Sequence, residues 1–147
     1  MNSAHVARPQ PEPRAAYKLF RTLPTRWGDN DVYGHVNNVV YYSWFDTAVN
    51  AWLIEAGVLN IAQPPVIGVV AETHCNFFTS IAFPEDVHIG MRVAHTGTSS
   101  VRYELGVFGP GDMTVAKGHF LHVYVDPGTR RPIPLPDAFI HLLETIR

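Results

Sequence analysis

The sequence predicts an α+β fold in which one antiparallel sheet curves around a single long helix. Three observations lead to this fold class. The segment between Asn37 and Gly57 has helical periodicity and is apolar on most sides. After Pro65, apolar residues recur at every second position through several short segments separated by turns. A helix that is apolar on most sides needs more cover than a flat neighbour supplies, so the sheet is expected to wrap around it.

The chain begins with a proline-containing segment and a first strand. Residues 1–16 include three prolines and lack the apolar core of a secretory signal, so we predict a disordered leader there. Tyr17 to Thr25 is apolar and rich in strand-forming residues. Residues 26–36 are dense in glycine, aspartate and asparagine and are predicted to form a loop. With 147 residues in all, we expect one domain spanning residues 17–147.

The predicted central helix has recognisable ends. Asn37 or Asn38 is suited to the N-cap, and Gly57 lies just past the last periodic residue, where a C′ glycine belongs. Four polar residues recur at helical spacing and form one stripe: Ser43, Asp46, Thr47 and Asn50. The rest of the surface is almost entirely apolar, which predicts that the helix is enclosed.

Four more strands follow, with turns between them, and a short amphipathic helix ends the chain. The predicted strands run over 67–77, 87–93, 101–107 and 114–125. Strict alternation in the first of these places Ile67, Val69, Thr73 and Cys75 on one apolar face. The terminal helix is indicated by Phe139, Leu142, Leu143 and Ile146.

Composition and charge exclude several classes of protein. The net charge of −2 gives no sign of a nucleic-acid partner, and no apolar stretch is long enough to span a membrane. The single cysteine, Cys75, cannot form an internal disulfide, so a cytoplasmic location is expected. None of the eight histidines has convincing metal-ligand spacing. Only 16% of residues are charged, against about 25% in typical domains, which favours coverage of part of the surface by another subunit.

The densest polar cluster is the loop at residues 26–38, directly before the central helix. A helix start carries unpaired N–H groups and the positive end of the helix dipole, which can stabilise a developing oxyanion. Asp29 or Asp31 would add a base or a nucleophile. One loop therefore contains both halves of an acyl-transfer site, although the same residue types also serve as ordinary caps and turns.

The run Asp29-x-Asp31-x-x-Gly34-His35-Val36-Asn37-Asn38 resembles the signature of hotdog-fold acyl-coenzyme A thioesterases of the 4-hydroxybenzoyl-coenzyme A type. The resemblance covers roughly residues 17–140. It implies a hotdog fold, with a five-stranded antiparallel sheet around the central helix. It also implies hydrolysis of an acyl- or aroyl-coenzyme A, and no cofactor beyond the coenzyme A of the substrate.

By position in that motif, Asp31 is the catalytic aspartate and Asp29 a residue that locks the loop. The resemblance also implies that the amide at the helix start polarises the thioester carbonyl. The residues expected to contact substrate are Gly34, His35, Asn37, Asn38 and Tyr42. Tyr41, Tyr42 and Phe45 are candidates for the acyl pocket, or equally for plain core. Arginine and lysine candidates for the coenzyme A phosphates are Arg92, Arg102, Lys117, Arg130 and Arg131.

Two questions stay open from the sequence alone. Asp31 either attacks the carbonyl directly or activates a water. The activity is either thioester hydrolysis, hydration of an enoyl thioester with His35 as the second acid–base group, or binding of acyl thioesters without turnover. The resemblance further implies a homodimer or homotetramer with the active site at the dimer interface.

Overall fold

The computed structural model describes residues 7–147 and contains five strands and two α-helices. In chain order the elements are β1 (Leu19–Pro24), α1 (Asn38–Glu55), β2 (Ile67–Phe77), β3 (Asp86–Thr96), β4 (Ser100–Phe108), β5 (Ala116–Val125) and α2 (Asp137–Glu144). The strands form one antiparallel sheet in the order β1-β3-β4-β5-β2. This is the predicted α+β architecture, and with α1 against one face of the sheet it is a hotdog fold.

The inner face of the sheet and α1 share one hydrophobic core. Side chains of β3 and β4 that alternate inward, such as Ile89 and Leu105, are completely buried. From α1, Phe45 packs edge-to-face on Phe120 of β5, with ring centroids 5.9 Å apart. The polar stripe predicted on α1 remains mostly exposed, at Ser43, Asp46 and Thr47. The prediction that the other sides of α1 are enclosed is confirmed for most of the helix by the buried residues Tyr41, Trp44, Phe45, Ala48, Val49 and Leu53. It is wrong at the two ends, where Val39 is 65% and Ile54 38% exposed.

Both ends of α1 are built as the sequence predicts. The side chain of Asn37 accepts a hydrogen bond from the amide of Val39 at 3.1 Å and caps the first turn. At the other end, Gly57 has a φ of +79°, a left-handed conformation that glycine adopts without steric cost. The helix therefore begins directly after the polar loop, which fixes the position of that loop.

The predicted alternation along β2 is wrong for its first half. Pairing with β5 changes register between Val70 and Glu72, so a bulge lies at this point of the strand. Residues that pair across two strands lie on the same face of the sheet. Thr73 pairs with Phe120, which points inward. Val69 pairs with Val123, which points outward because its neighbour His122 points inward. One extra residue reverses the faces. Val69 is consequently not on the apolar face with Cys75 and is 46% exposed.

The N-terminal segment differs from the predicted disordered leader. Residues 1–6 of that leader lie outside the described residues, but Glu12 to Ala16 contact the sheet. The amide of Thr114 donates to the carbonyl oxygen of Glu12, and Pro13 forms a bridge with Met113. The carboxylate of Glu12 accepts hydrogen bonds from Arg92 at 2.8 Å and Lys117 at 3.0 Å. The folded unit therefore starts before residue 17, because outward charges on β3 and β5 bind this segment.

The C-terminal helix α2 is confirmed and packs on the inner core. Its Phe139 lies against Tyr124 of β5, with ring centroids 4.7 Å apart. Neither α1 nor α2, the two α-helices among residues 7–147, is long and apolar enough to cross a membrane.

Candidate functional site

The loop before α1 is held in place by a buried aspartate. Asp29 is 2% exposed and accepts hydrogen bonds from the Arg26 backbone amide at 2.8 Å and from the Arg26 guanidinium at 2.8 and 3.0 Å. Its carbonyl oxygen accepts from the amide of Asn37 at 2.9 Å. Asp29 thus ties the start of the loop to the start of the helix, the loop-locking position that the resemblance implies for it.

Two further contacts fasten the loop to the segment between β2 and β3. The side-chain oxygen of Asn30 accepts a hydrogen bond from the amide of Phe83 at 3.1 Å. The amide of Val36 donates to the carbonyl oxygen of Ile81 at 2.8 Å. These contacts anchor the loop at Asn30 and at Val36, on either side of the exposed residues 32–35.

Asp31 occupies the free part of this loop. It is partly exposed, and one carboxylate oxygen accepts a hydrogen bond from the amide of Tyr33 at 2.8 Å. Among residues 7–147 no lysine, arginine or histidine forms an ion pair with it. Asp29 and Asp31 are therefore opposite in character: the first is buried against a guanidinium, and the second has its other carboxylate oxygen open to a reactant.

A tight turn follows Asp31 and contains two of the sequence-predicted residues. The amide of Gly34 donates to the carbonyl oxygen of Asp31, and the amide of Asp31 donates to the carbonyl oxygen of His35. Gly34 has a φ of +82°, so this turn needs a glycine for its backbone conformation. The ring of His35 is exposed and has no hydrogen-bond partner in the described part of the chain. The acid–base pair that the hydratase alternative requires is not pre-formed by a hydrogen bond.

The start of α1 leaves one backbone donor unpaired. The amide of Asn37 binds the carbonyl oxygen of Asp29, and the amides of Val39 and Val40 bind the side chain and the carbonyl oxygen of Asn37. Between them, the amide of Asn38 has no acceptor among the described residues. It is the first amide of an 18-residue helix, where the helix dipole favours negative charge.

An apolar groove of about 280 Å³ opens beside this helix start. Its lining residues come from the end of the loop, the first turn of α1 and the end of β2: Val36, Asn38, Tyr41, Phe77, Phe78, Thr79 and Ser80. The rings of Tyr41 and Phe77 meet edge-to-face with centroids 4.9 Å apart. Burial raises the pKa of Tyr41 to about 12, so its hydroxyl is neutral over the physiological range.

The structure separates some of the predicted site residues from this groove. Asp31, Gly34 and His35 lie in the loop and do not line it, and Tyr42 packs on Phe45 with ring centroids 6.2 Å apart. Tyr42 therefore contributes to the core within this chain. The lining residues at the end of β2 were missed at the sequence level. The Phe77-Phe78 pair was the available signal, since Phe78 continues an apolar run past the end of the strand.

Cys75 and the histidines His74 and His119 do not line the groove. Cys75 is buried on the inner face, as the predicted alternation places it, and burial raises the pKa of its thiol to about 12, so the thiol is protonated and unreactive at neutral pH. The ring of His74 stacks on the ring of His119 on the neighbouring strand, with centroids 5.4 Å apart. Within residues 7–147 no three histidine, cysteine, aspartate or glutamate side chains are grouped to hold a metal ion.

Comparison with known proteins adds a family to this geometry. The family model described as the thioesterase-like superfamily matches residues 25–143. Among solved structures, the PA5185 protein of Pseudomonas aeruginosa strain PAO1 is 44% identical, with a TM-score of 0.91 over 94% of this chain and 97% of that one. The PA2801 protein of Pseudomonas aeruginosa, a proposed thioesterase, is 28% identical, with a TM-score of 0.79 over 86% of this chain and 98% of that one.

A curated relative was found at lower identity. The YsmA protein of Bacillus subtilis (strain 168) is 21% identical over 98 residues, which are 67% of this chain. The match spans 66% of YsmA, slightly less than two thirds of its length.

Proposed function

The chain belongs to the thioesterase-like superfamily, and on this premise we propose that it hydrolyses the thioester bond of an acyl- or aroyl-coenzyme A. Water enters, the bond between the carbonyl carbon and sulfur breaks, and a free carboxylic acid and the thiol of coenzyme A leave. Asp31 is the proposed catalytic residue. The amide at the start of α1 is the proposed donor to the carbonyl oxygen.

The unpaired amide of Asn38 is the observation that carries this proposal. It lies where the apolar groove begins, and its neighbours on either side are already bonded. A thioester carbonyl seated in the groove gives this amide an acceptor, and the bond strengthens as negative charge develops on the oxygen. The carboxylate of Asp31, which forms no ion pair within residues 7–147, lies on the same anchored loop.

Two routes are compatible with this arrangement. In the first, the carboxylate of Asp31 attacks the carbonyl carbon, the thiolate leaves, and water opens the resulting anhydride. In the second, Asp31 takes a proton from a water that attacks the same carbon. Isotopic oxygen from labelled water that appears in the Asp31 side chain would establish the first route, because only an anhydride opened at the aspartyl carbon places it there.

The groove supports a compact acyl group. Its volume of about 280 Å³ is small, and its walls are aromatic or aliphatic apart from Asn38, Thr79 and Ser80. Tyr41 is the member of the predicted acyl-pocket set that lines it. We propose that the acyl or aroyl group packs on Tyr41 and Phe77, with coenzyme A as part of the substrate and no other cofactor in the reaction.

We further propose that the site works in a homodimer or homotetramer, in which a second copy completes it. Apolar side chains around the loop are strongly exposed in the single chain: Val32 is 93% exposed, Tyr33 82% and Val39 65%. The free edge of the sheet at β2 also exposes Val69 and Val70. Exposed apolar groups next to an open sheet edge are typical of surfaces that a second copy covers. A cytoplasmic location is part of the same proposal.

The test is a thiol-release assay over a panel of short, branched, long and aromatic acyl-coenzyme A substrates. The wild-type protein is expected to release thiol from at least one substrate. Asp31→Asn is expected to lower kcat at least about 100-fold with an unchanged unfolding midpoint, because an asparagine oxygen still accepts from Tyr33. Asp112→Asn, a change on the exposed turn between β4 and β5, is the matched control and should retain full activity.

The same panel separates the alternatives. Loss of enoyl-thioester absorbance without thiol release would identify a hydratase. Tight binding of the panel without turnover would identify a binding protein. Full turnover by Asp31→Asn would remove Asp31 from the mechanism.

A further inference from the structure

The groove at the helix start adjoins a second cavity, which shares Phe77 and Phe78 with it. This cavity has a volume of about 630 Å³. Part of its lining comes from the end of β2, at Asn76, Phe77 and Phe78, and the rest from the N-terminal segment at residues 8–11. Since Phe77 and Phe78 line both cavities, the groove and the space lined by residues 8–11 are neighbours.

Residues 8–11 are held over this cavity by the contacts of the next residue, Glu12. The carboxylate of Glu12 binds Arg92 and Lys117 on the outer face of the sheet. The backbone amide of Glu12 donates to the hydroxyl of Thr114 at 2.9 Å, and the carbonyl oxygen of Glu12 accepts from the amide of Thr114. The segment is therefore attached to β3, β5 and the turn before β5, and its position relative to Phe77 is defined.

The positively charged side chains near the second cavity differ in whether a carboxylate already pairs with them. Arg92 is bonded to Glu12 and Glu104, and Lys117 is bonded to Glu12, so these two sequence-level candidates for phosphate contacts are already neutralised. Arg8 lines the second cavity and is exposed. Among residues 7–147 no carboxylate pairs with Arg8, and residues 1–6 contain no aspartate or glutamate.

We propose that residues 8–11 form a wall of the channel taken by the pantetheine arm of the substrate, and that Arg8 pairs with its nucleotide phosphates. This inference rests on the proposed thioesterase function, because it assigns the carrier portion of the same substrate. A coenzyme A thioester presents, in order, an acyl group, a flexible arm of apolar and amide groups, and phosphates. The molecule presents an apolar groove, a neighbouring cavity that shares Phe77 and Phe78 with it, and the guanidinium of Arg8 on the lining of that cavity. Arginine is well suited to phosphate because its donors match the oxygens in pairs.

The first arm of the test compares two forms of a thioester. Arg8→Ala is expected to raise KM about fivefold for an acyl-coenzyme A, the effect of one partly exposed charge-assisted contact, with kcat unchanged. The same variant should leave KM unchanged for the acyl-pantetheine that lacks the nucleotide phosphates. The control variant is Arg147→Ala, which removes a guanidinium that pairs with Glu144 of α2. It should leave the KM of both substrates unchanged.

The second arm measures binding of coenzyme A itself by calorimetry, which does not depend on turnover. Arg8→Ala is expected to weaken binding of coenzyme A about fivefold relative to wild type and to leave binding of pantetheine unchanged. An equal loss for both ligands, no loss for either, or the same loss in Arg147→Ala would overturn the assignment of Arg8. If no thioester is hydrolysed but the binding difference is seen, the proposed function fails while the phosphate contact stands.

A third variant tests whether residues 8–11 form a wall of the channel. Glu12→Gln weakens the attachment of residues 8–11, so KM should rise at least threefold for both the coenzyme A and the pantetheine thioester. Glu104→Gln removes the other carboxylate on Arg92 without touching that attachment, and it serves as the matched control. Equal KM values for these two variants would show that the segment takes no part in the channel.

Discussion

The two faces of the sheet achieve stability by different means. On the inner face, Phe45 of α1 lies directly over Gly118 of β5, and an added Cβ there would be 2.8 Å from the Phe45 ring and 2.1 Å from the carbonyl oxygen of His74. On the outer face, Glu12, Arg92 and Lys117 form a partly exposed ionic network. The inner face depends on close packing, whereas on the outer face the Glu12 network depends on charge neutralisation and lies beside a packed aromatic pair, Tyr17 and Phe108.

This contrast determines where the molecule tolerates change. A dense interior cannot absorb one extra methyl group against backbone, whereas charged side chains at the surface are solvated when a partner is lost. The inner face also buries His122, which hydrogen-bonds to the hydroxyl of Tyr124 and is 2% exposed. We therefore expect the pH dependence of stability to differ between buried His122 and the partly exposed charges of the outer face. Substitutions on each face test this expectation.

The largest effect is expected at Gly118. Gly118→Ala should lower the free energy of unfolding by more than about 3 kcal/mol, because the new methyl group clashes with the backbone of the neighbouring strand. Urea titration followed by tryptophan fluorescence gives the free energy of unfolding. Gly111→Ala, on an exposed turn with no atom within 4 Å of the new Cβ, is the control and should change it by less than about 0.5 kcal/mol. Equal stability of the two variants would disprove the close packing of β5 against β2.

A slightly smaller loss of unfolding free energy is expected when low pH protonates His122. Burial lowers its pKa from 6.5 to about 4, since the charged imidazolium is poorly solvated in the core. Between these two values the unfolded chain binds a proton that the folded chain does not, so stability falls as pH drops from 6.5 towards 4. The loss amounts to about 3 kcal/mol at pH 4.

The contribution of His122 can be isolated by substitution. His122→Phe retains an aromatic ring, and Tyr124 keeps its hydrogen bond to Tyr103 at 2.7 Å. The difference in unfolding free energy between pH 7 and pH 4 should therefore shrink by about 3 kcal/mol in this variant. An unchanged difference would mean that other groups cause the acid sensitivity.

The smallest effect is expected on the outer face. Arg92 and Lys117 lower the pKa of Glu12 to about 2, so its contribution to stability is complete above pH 4.5 and disappears as pH falls towards 2. Glu12→Gln should cost about 1 kcal/mol at pH 7 in a thermal or urea melt. Glu55→Gln, which breaks the exposed pair with Arg21, should cost less than about 0.5 kcal/mol. If both variants lose the same amount, the network adds nothing beyond a simple surface pair.

Local chemistry made several features predictable from the sequence. The cap at Asn37, the glycine at 57 and the apolar surface of α1 follow from groups within a few positions of one another. The buried position of Cys75 was also predictable, because alternation near the end of β2 places this residue on the inward face. The locking role of Asp29 and the candidate role of Asp31 are instead what the resemblance of the loop motif to the thioesterase signature implies.

Long-range contacts made other features unpredictable. The bulge after Val70 depends on how β2 pairs with β5, a strand about 50 residues later. The docking of Glu12 depends on Arg92 and Lys117, which are 80 and 105 residues away. The groove combines Asn38 and Tyr41 with the Phe77-Phe78 pair, which no local pattern links to the loop.

Periodicity, capping and turn formation are short-range effects, so the amino-acid order alone is enough to establish the α+β class, the ends of the central helix and the loop that carries Asp31. The folded structure is needed to establish which amide at the helix start stays unpaired, which residues wall the groove and where the N-terminal segment lies. Those outcomes depend on which distant groups meet once the sheet closes around the helix, and no local pattern in the sequence encodes that meeting.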